Sequence, residues 1–272
     1  MTEQTSVSVA SGSAAAPATS ALRDFVHARR WSWGSVIGGL SLWEFISRVV
    51  VGSKLFLAAP TQVIYAFYDL VRTGEIWKHV WISALEFFLG YFIACFLGVA
   101  LGFLMASFRS CKQAMQPWVS GLYATPTVAL APLFILWFGI GILSKVLVVA
   151  LLVLFPVCIN TEAGLRNTSQ QLVETVRAFG ATRRQIFFKV ALPSALPFIF
   201  AGFKLGIGRG LIGVVVAELF GARAGLGQLI SQSAETFNMP NLFAGVAVLA
   251  VAGIAMTSGF AKLEQKLLPW RE

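Results

Sequence analysis

Long apolar blocks separated by short polar segments constrain this chain more than any other feature. They fall at 33–51, 80–108, 118–140, 145–159, 196–220 and 242–263. A bilayer interior about 30 Å thick needs about 20 apolar residues per crossing helix. Lipid offers no partner for a bare N–H or C=O, so each block must close its own backbone hydrogen bonds as a helix. Composition agrees: 57% of the 272 residues are hydrophobic and 12% charged, against roughly a quarter charged in soluble domains. The expectation is an all-α polytopic membrane protein of about six transmembrane helices. The first block is the weakest, because it contains Glu44 and Arg48.

The net charge of +9 would suit nucleic acid, but its placement argues for topology instead. With a cytoplasmic N-terminus, the inner segments hold Arg23, Arg29, Arg30, Arg109, Lys112, Arg166, Arg177, Arg183, Arg184, Lys189, Lys262, Lys266 and Arg271. The outer segments hold only Lys54, Arg72, Lys78, Lys145 and Arg223. Excess Lys and Arg marks the cytoplasmic side, so both termini are expected there. No nucleic-acid partner is expected; membrane lipid is.

Residues 1–22 are rich in Ser, Thr, Ala and Gly and read as disordered, within a cytoplasmic tail over 1–30 ahead of a transmembrane domain over 31–272. They lack the basic and apolar regions of a cleaved signal peptide. Cys95, Cys111 and Cys158 have no paired or metal-type spacing, and Cys95 and Cys158 read as small buried hydrophobes. His27 and His79 are far apart and make no site, so no metal is expected.

Gly90, Ala94, Gly98 and Gly102 stripe the second block, and Gly202, Gly206 and Gly210 the fifth. Small residues every fourth position let helices approach closely in lipid. Pro126 and Pro132 interrupt the third block and Pro156 the fourth. They imply either kinked helices or a broken segment lining a substrate path.

The longest polar segment between blocks, 166–193, carries its own local signals. Thr168 with Gln171 reads as a capping box opening a short helix, which Gly180 ends; Thr182 with Gln185 reads as a second box, its helix stopped by Pro193. Two short helices on the cytoplasmic face make a docking surface. Glu174, Arg177, Arg183 and Arg184 would supply charge, and Phe179, Ile186 and Phe187 apolar anchors. The competing reading is an amphipathic loop lying on anionic lipid.

The run Glu174-Thr-Val-Arg-Ala-Phe-Gly180, followed by Val190-Ala-Leu-Pro193, resembles the "EAA" signature of ATP-binding-cassette (ABC) importer permeases. Thr175 and Val176 replace the signature's two alanines while its spacing is kept. Ala131-Pro-Leu-Phe-Ile-Leu-Trp-Phe-Gly-Ile-Gly141, Ala195-Leu-Pro-Phe-Ile199, Val216-Ala-Glu-Leu219 and Gly225-Leu-Gly227 resemble the subgroup that imports nitrate, taurine, aliphatic sulfonates and bicarbonate. The likeness runs from about residue 40 to the end, its core over 79–263. It implies a bacterial inner-membrane location and that the short helices are coupling helices seated in a separate ATPase subunit. Glu174 would be a polar anchor there, Gly180 would allow the sharp turn, and Leu192-Pro193 would fix entry into the fifth span. It also implies two ATPase subunits, a second permease, most simply a copy of this chain, and a periplasmic or lipid-anchored solute-binding protein. The chain has no Gly-x-x-x-x-Gly-Lys-Ser/Thr phosphate loop. ATP and magnesium therefore belong to the partner, and no cofactor is expected on this chain.

Charges inside a block need a reason, since each costs roughly 2.5 to 3.5 kcal/mol at a helix centre. Lys204 can snorkel to the interface, and Glu218, near the outer end of its block, can reach headgroups or water. Arg209 lies deepest; its fork suits an oxyanion, and the alternative is an ion pair with Glu44 or Glu86. Glu44 and Arg48, four apart, read as a local pair. Pro126, Pro132, Arg209 and Glu218 are thus the candidate pathway residues. The segment 225–238, opening at Gly225 and Gly227, reads as a short external helix or a surface loop. An ion-coupled secondary transporter is the alternative function, although no internal repeat supports one. An intramembrane enzyme would need catalytic groups at matched depth, and Asp24 and Asp69 both lie outside the blocks.

Overall fold

The computed structural model describes residues 34–53 and 55–269. The expectations for the N-terminal tail lie outside the described residues. Helix α1, Gly34–Val51, belongs to an N-terminal unit that ends at Ser53. Its last turn widens into a π turn over Ile46–Val51 and is closed by Gly52 at φ 65°. Glu44 and Arg48 form the expected i,i+4 pair.

The second unit holds the remaining helices: α2 (Pro60–Arg72), α3 (Glu75–Ser107), α4 (Arg109–Ala124), α5 (Ala131–Phe138), α6 (Ile142–Arg166) and α7 (Gln170–Ala178). They are followed by α8 (Arg183–Gly221), α9 (Leu226–Glu235) and α10 (Met239–Leu267). Helix α2 is amphipathic, not apolar, so no apolar block announced it. Pro60 occupies its first turn, where a missing N–H costs nothing, and Gln62 accepts from the Ala59 N–H at 3.2 Å.

Helix α6 is the axis of this unit. Of its most apolar stretch 61% is buried against protein, against 11% for α10, so α6 meets protein where α10 meets its surroundings. Both glycine stripes close on it. A Cβ at Gly90 would stand 2.7 Å from Val149 Cβ, and one at Gly102 2.5 Å from the Cys158 carbonyl oxygen. From the other side, a Cβ at Gly206 would lie 2.9 Å from Val153 and one at Gly213 2.7 Å from Leu152. The stripes are therefore the contact surfaces of α3 and α8, and α6 supplies the Val and Leu knobs between them. Phe87, Tyr91, Val149, Val153, Val157, Ile207 and Val214 form the buried core there. Cys158 is fully buried and Cys95 nearly so, as small hydrophobes.

Three block boundaries differ from expectation. The block at 118–140 is not one continuous helix but the broken segment its prolines allowed: α4 and the segment Thr127–Phe138 meet at 87°. Pro126 stands at the bend and Pro132 in the first turn of α5, where prolines end one helix and open the next. The block at 145–159 extends to Arg166, because its polar last turns remain helical. Finally, Pro193 does not stop a helix. The chain stays helical from Arg183 to Gly221, and a π turn over Phe187–Ala191 ends two residues before the proline. Widening that turn accommodates the missing N–H and the ring that would crowd the carbonyl four residues back.

Candidate functional site: the two-helix element and the buried cluster behind α9

The element between α6 and the apolar part of α8 has two short helices, and its joints are tied by named bonds. Ser169, not Thr168, caps α7, its hydroxyl accepting from the Leu172 N–H at 3.4 Å. Thr168 instead donates back to the Leu165 carbonyl at 3.0 Å, closing α6. At the far end of α7, the Ala181 N–H reaches the Val176 carbonyl at 3.1 Å and the Gly180 N–H the Arg177 carbonyl at 2.9 Å. With Gly180 at φ 83°, this is a complete Schellman closure. The box at α8 is as expected: Gln185 N–H donates to Thr182 Oγ1 at 3.3 Å, and Thr182 N–H to Gln185 Oε1 at 2.8 Å.

What the element presents is charged and apolar at once. Glu174, Arg177, Gly180, Arg183 and Arg184 are exposed, and Phe179 is 88% exposed. Leu192 and Pro193 are half-buried at the root of α8. Arg184 stacks over Phe188 at 5.9 Å. No residue of α7 is buried, so the described residues leave its amphipathic face largely uncovered.

Behind α9 lies a cluster that sequence reasoning missed. Glu218 is fully buried, not in contact with headgroups or water. Its Oε1 accepts from Ser83 Oγ at 2.6 Å, and its Oε2 from the Gly227 N–H at 2.6 Å. Ser83 in turn accepts from the Leu226 N–H at 2.7 Å, and His79 Nδ1 lies 2.7 Å from the Gly225 carbonyl oxygen. Glu86, also fully buried, takes Lys145 at 2.6 Å. Lys145 therefore belongs to the interior and not to an outer loop, and the Arg209–Glu86 pair does not form. Arg209 is exposed on α8, its guanidinium 5.7 Å above the Tyr123 ring of α4. Gly225 and Gly227 open α9, the helical form of the segment expected at 225–238. Both are glycines by necessity: a Cβ would stand 2.3 Å from Glu218 Cδ at the first and 2.6 Å from the Val215 carbonyl at the second. One signal was available beforehand. Glu86, Lys145 and Glu218 sit toward the ends of blocks that share a side if the spans alternate.

Residues 98–268 match the family described as the binding-protein-dependent transport system inner membrane component. The chain is a permease of this family. Its relatives include the putative aliphatic sulfonates transport permease SsuC of Bacillus subtilis, 36% identical, covering 85% of this chain and 84% of that protein. The formylaminopyrimidine transport permease ThiX of Halalkalibacterium halodurans is 34% identical over 85% of this chain and 92% of its own length. The taurine transport permease TauC of Escherichia coli is 29% identical over 92% and 97%. The methionine ABC transporter MetNI in an inward-facing form shares the fold, with a TM-score of 0.61 at 20% identity over 70% of this chain and 95% of that one. The permease thus belongs to the ABC importers, whose permeases work with ATPase and solute-binding partners.

Proposed function

We propose that this permease imports a small organic anion, a sulfonate first, as one half of a permease pair driven by two ATPase subunits docked on the element at 166–193. The exposed two-helix element carries the reading. An amphipathic α7 with nothing buried and a bare Phe179 call for a partner surface. Its bonded caps make it stiff enough to pass on a displacement. Glu174 anchors it in the ATPase, with Arg177, Arg183 and Arg184 around it, and the helical root at Leu192-Pro193 carries movement into α8. The relatives named for aliphatic sulfonates and taurine support the anion. Arg209 over Tyr123, beside the break at Pro126 and Pro132, supplies a guanidinium for it. The pair is a homodimer, the chain performs no covalent chemistry, both termini are cytoplasmic, and α9 faces the solute-binding protein in the periplasm.

The test is to tag the chain in its host, purify it in mild detergent, and identify what accompanies it. An ATPase that comes with the wild type and is lost from a Glu174→Arg/Gly180→Trp double variant supports the docking site. A wild type that stays free of any ATPase across several mild detergents overturns it and favours ion-coupled transport.

A further inference from the structure

The cluster behind α9 has more negative charge than the interior can carry. Two carboxyl groups, Glu86 and Glu218, are fully buried; Glu218 is bonded to Ser83 of α3 at 2.6 Å, and Glu86 stands buried one turn along α3 on the same face as Ser83. One buried ammonium, Lys145, is bonded to the first. Ionised together, the three groups leave an uncompensated negative charge out of water, which is expensive enough that such sites neutralise instead. Among the described residues no further buried cation accompanies them: Lys78 on α3, Arg209 on α8 and Arg223 ahead of α9 are all exposed. On α3, His79 turns Nδ1 to the Gly225 backbone and Nε2 toward the exposed Glu75, 4.0 Å away, so a charge on its ring would be matched there. On α9 the only titratable group is Glu235, which is exposed.

The hydrogen bonds leave the matching gap. Both oxygens of Glu218 accept, one from Ser83 and one from the Gly227 N–H. Glu86 Oε1 accepts from Lys145, but Glu86 Oε2 is buried with no partner. Two carboxylates cannot satisfy one another, since neither has a donor. We infer that Glu86 and Glu218 form a proton-binding site, holding one proton between them. That proton supplies the missing donor and leaves the group Lys⁺, carboxylate and carboxylic acid, with no net charge. Like-charged carboxyl groups in one site share a proton for this reason. The site ties α3 to α6 through Lys145, and α3 to α8 and α9 through Ser83, Glu218 and Gly227. The proton is therefore part of what holds α9 in place.

The inference does not rest on the transport reading and is tested on the purified chain alone. Infrared spectra of the delipidated protein in maltoside detergent at neutral pH should show a protonated-carboxyl C=O band. That band should shift in D₂O and on labelling with [5-¹³C]glutamate. Glu86→Gln and Glu218→Gln each remove the surplus charge while keeping an amide donor, so the band should vanish from both. Either variant suffices if the other fails to fold. A wild type without the band, as when a bound cation neutralises the pair, overturns the inference. So does a band that survives in a folded Gln variant, which would belong to another carboxyl group.

Discussion

At the scale of single residues, the glycines divide by what surrounds them. Gly225 combines φ 137° with a Cβ position 2.3 Å from the Glu218 carboxyl carbon, so an alanine there meets both backbone strain and a clash. Gly225→Ala should lower stability by at least about 2 kcal/mol, measured by thermal unfolding in detergent. Gly259, in α10, has no atom within 4 Å of its Cβ position. Gly259→Ala should leave stability unchanged or raise it by about 0.5 to 1 kcal/mol through helix propensity. Equal effects at the two positions would contradict the packing described. Gly98, whose Cβ would sit 2.9 Å from the Leu154 carbonyl, should behave like Gly225, because backbone on α6 cannot move aside as a flexible side chain can.

At the scale of elements, the α7 half of the two-helix segment has no buried residue and is held by its caps, whereas the other half packs through Val190 and through Phe187 against Phe103. The rigidity of the α7 half should therefore fail locally. Gly180 has open space around it, so Gly180→Ala meets only the left-handed penalty of about 1 to 2 kcal/mol. The expected outcome is faster limited proteolysis between residues 166 and 193 and weaker ATPase retention, with the melting temperature of the transmembrane unit unchanged. A parallel fall in melting temperature would show that α7 is packed into the bundle after all. Phe179→Ser removes an exposed ring without touching a cap. It should lower ATPase association while leaving proteolysis as in the wild type, which separates the proposed docking surface from the hinge that presents it.

For the whole molecule, the apolar surface sets the environment. Phe96 (76% exposed), Leu136 (79%) and Ile254 (67%) are left largely uncovered by the described residues, as suits a lipid-facing surface. The proposed orientation rests on Lys and Arg placement, and the burial of Lys145 removes one outer charge from the count. A C-terminal green fluorescent protein fusion should fluoresce and a C-terminal alkaline phosphatase fusion should be inactive. The opposite pattern would invert the topology and place the 166–193 element away from any ATPase.

Membrane residence, the helical class and the glycine stripes were legible without coordinates, because lipid forces long apolar runs and close helix contact forces small residues at helical spacing. The caps at Thr182 and Gly180 were legible because capping is local, decided within a few residues. The capping residue at Ser169 was misplaced by one, since neighbouring Thr168 and Ser169 both offer a hydroxyl and only backbone geometry chooses between them. Helix α2 escaped because its amphipathic pattern resembles a polar connector, and helix continuity through Pro193 because a π turn has no sequence signature. The sharp bend at Pro126 needed the fold to distinguish it from a kink. Above all, tertiary structure decided the partners of the buried charges. Glu218 meets Ser83 from 135 positions away and Lys145 meets Glu86 from 59, and no local rule reaches across such separations to say which charge in lipid meets which.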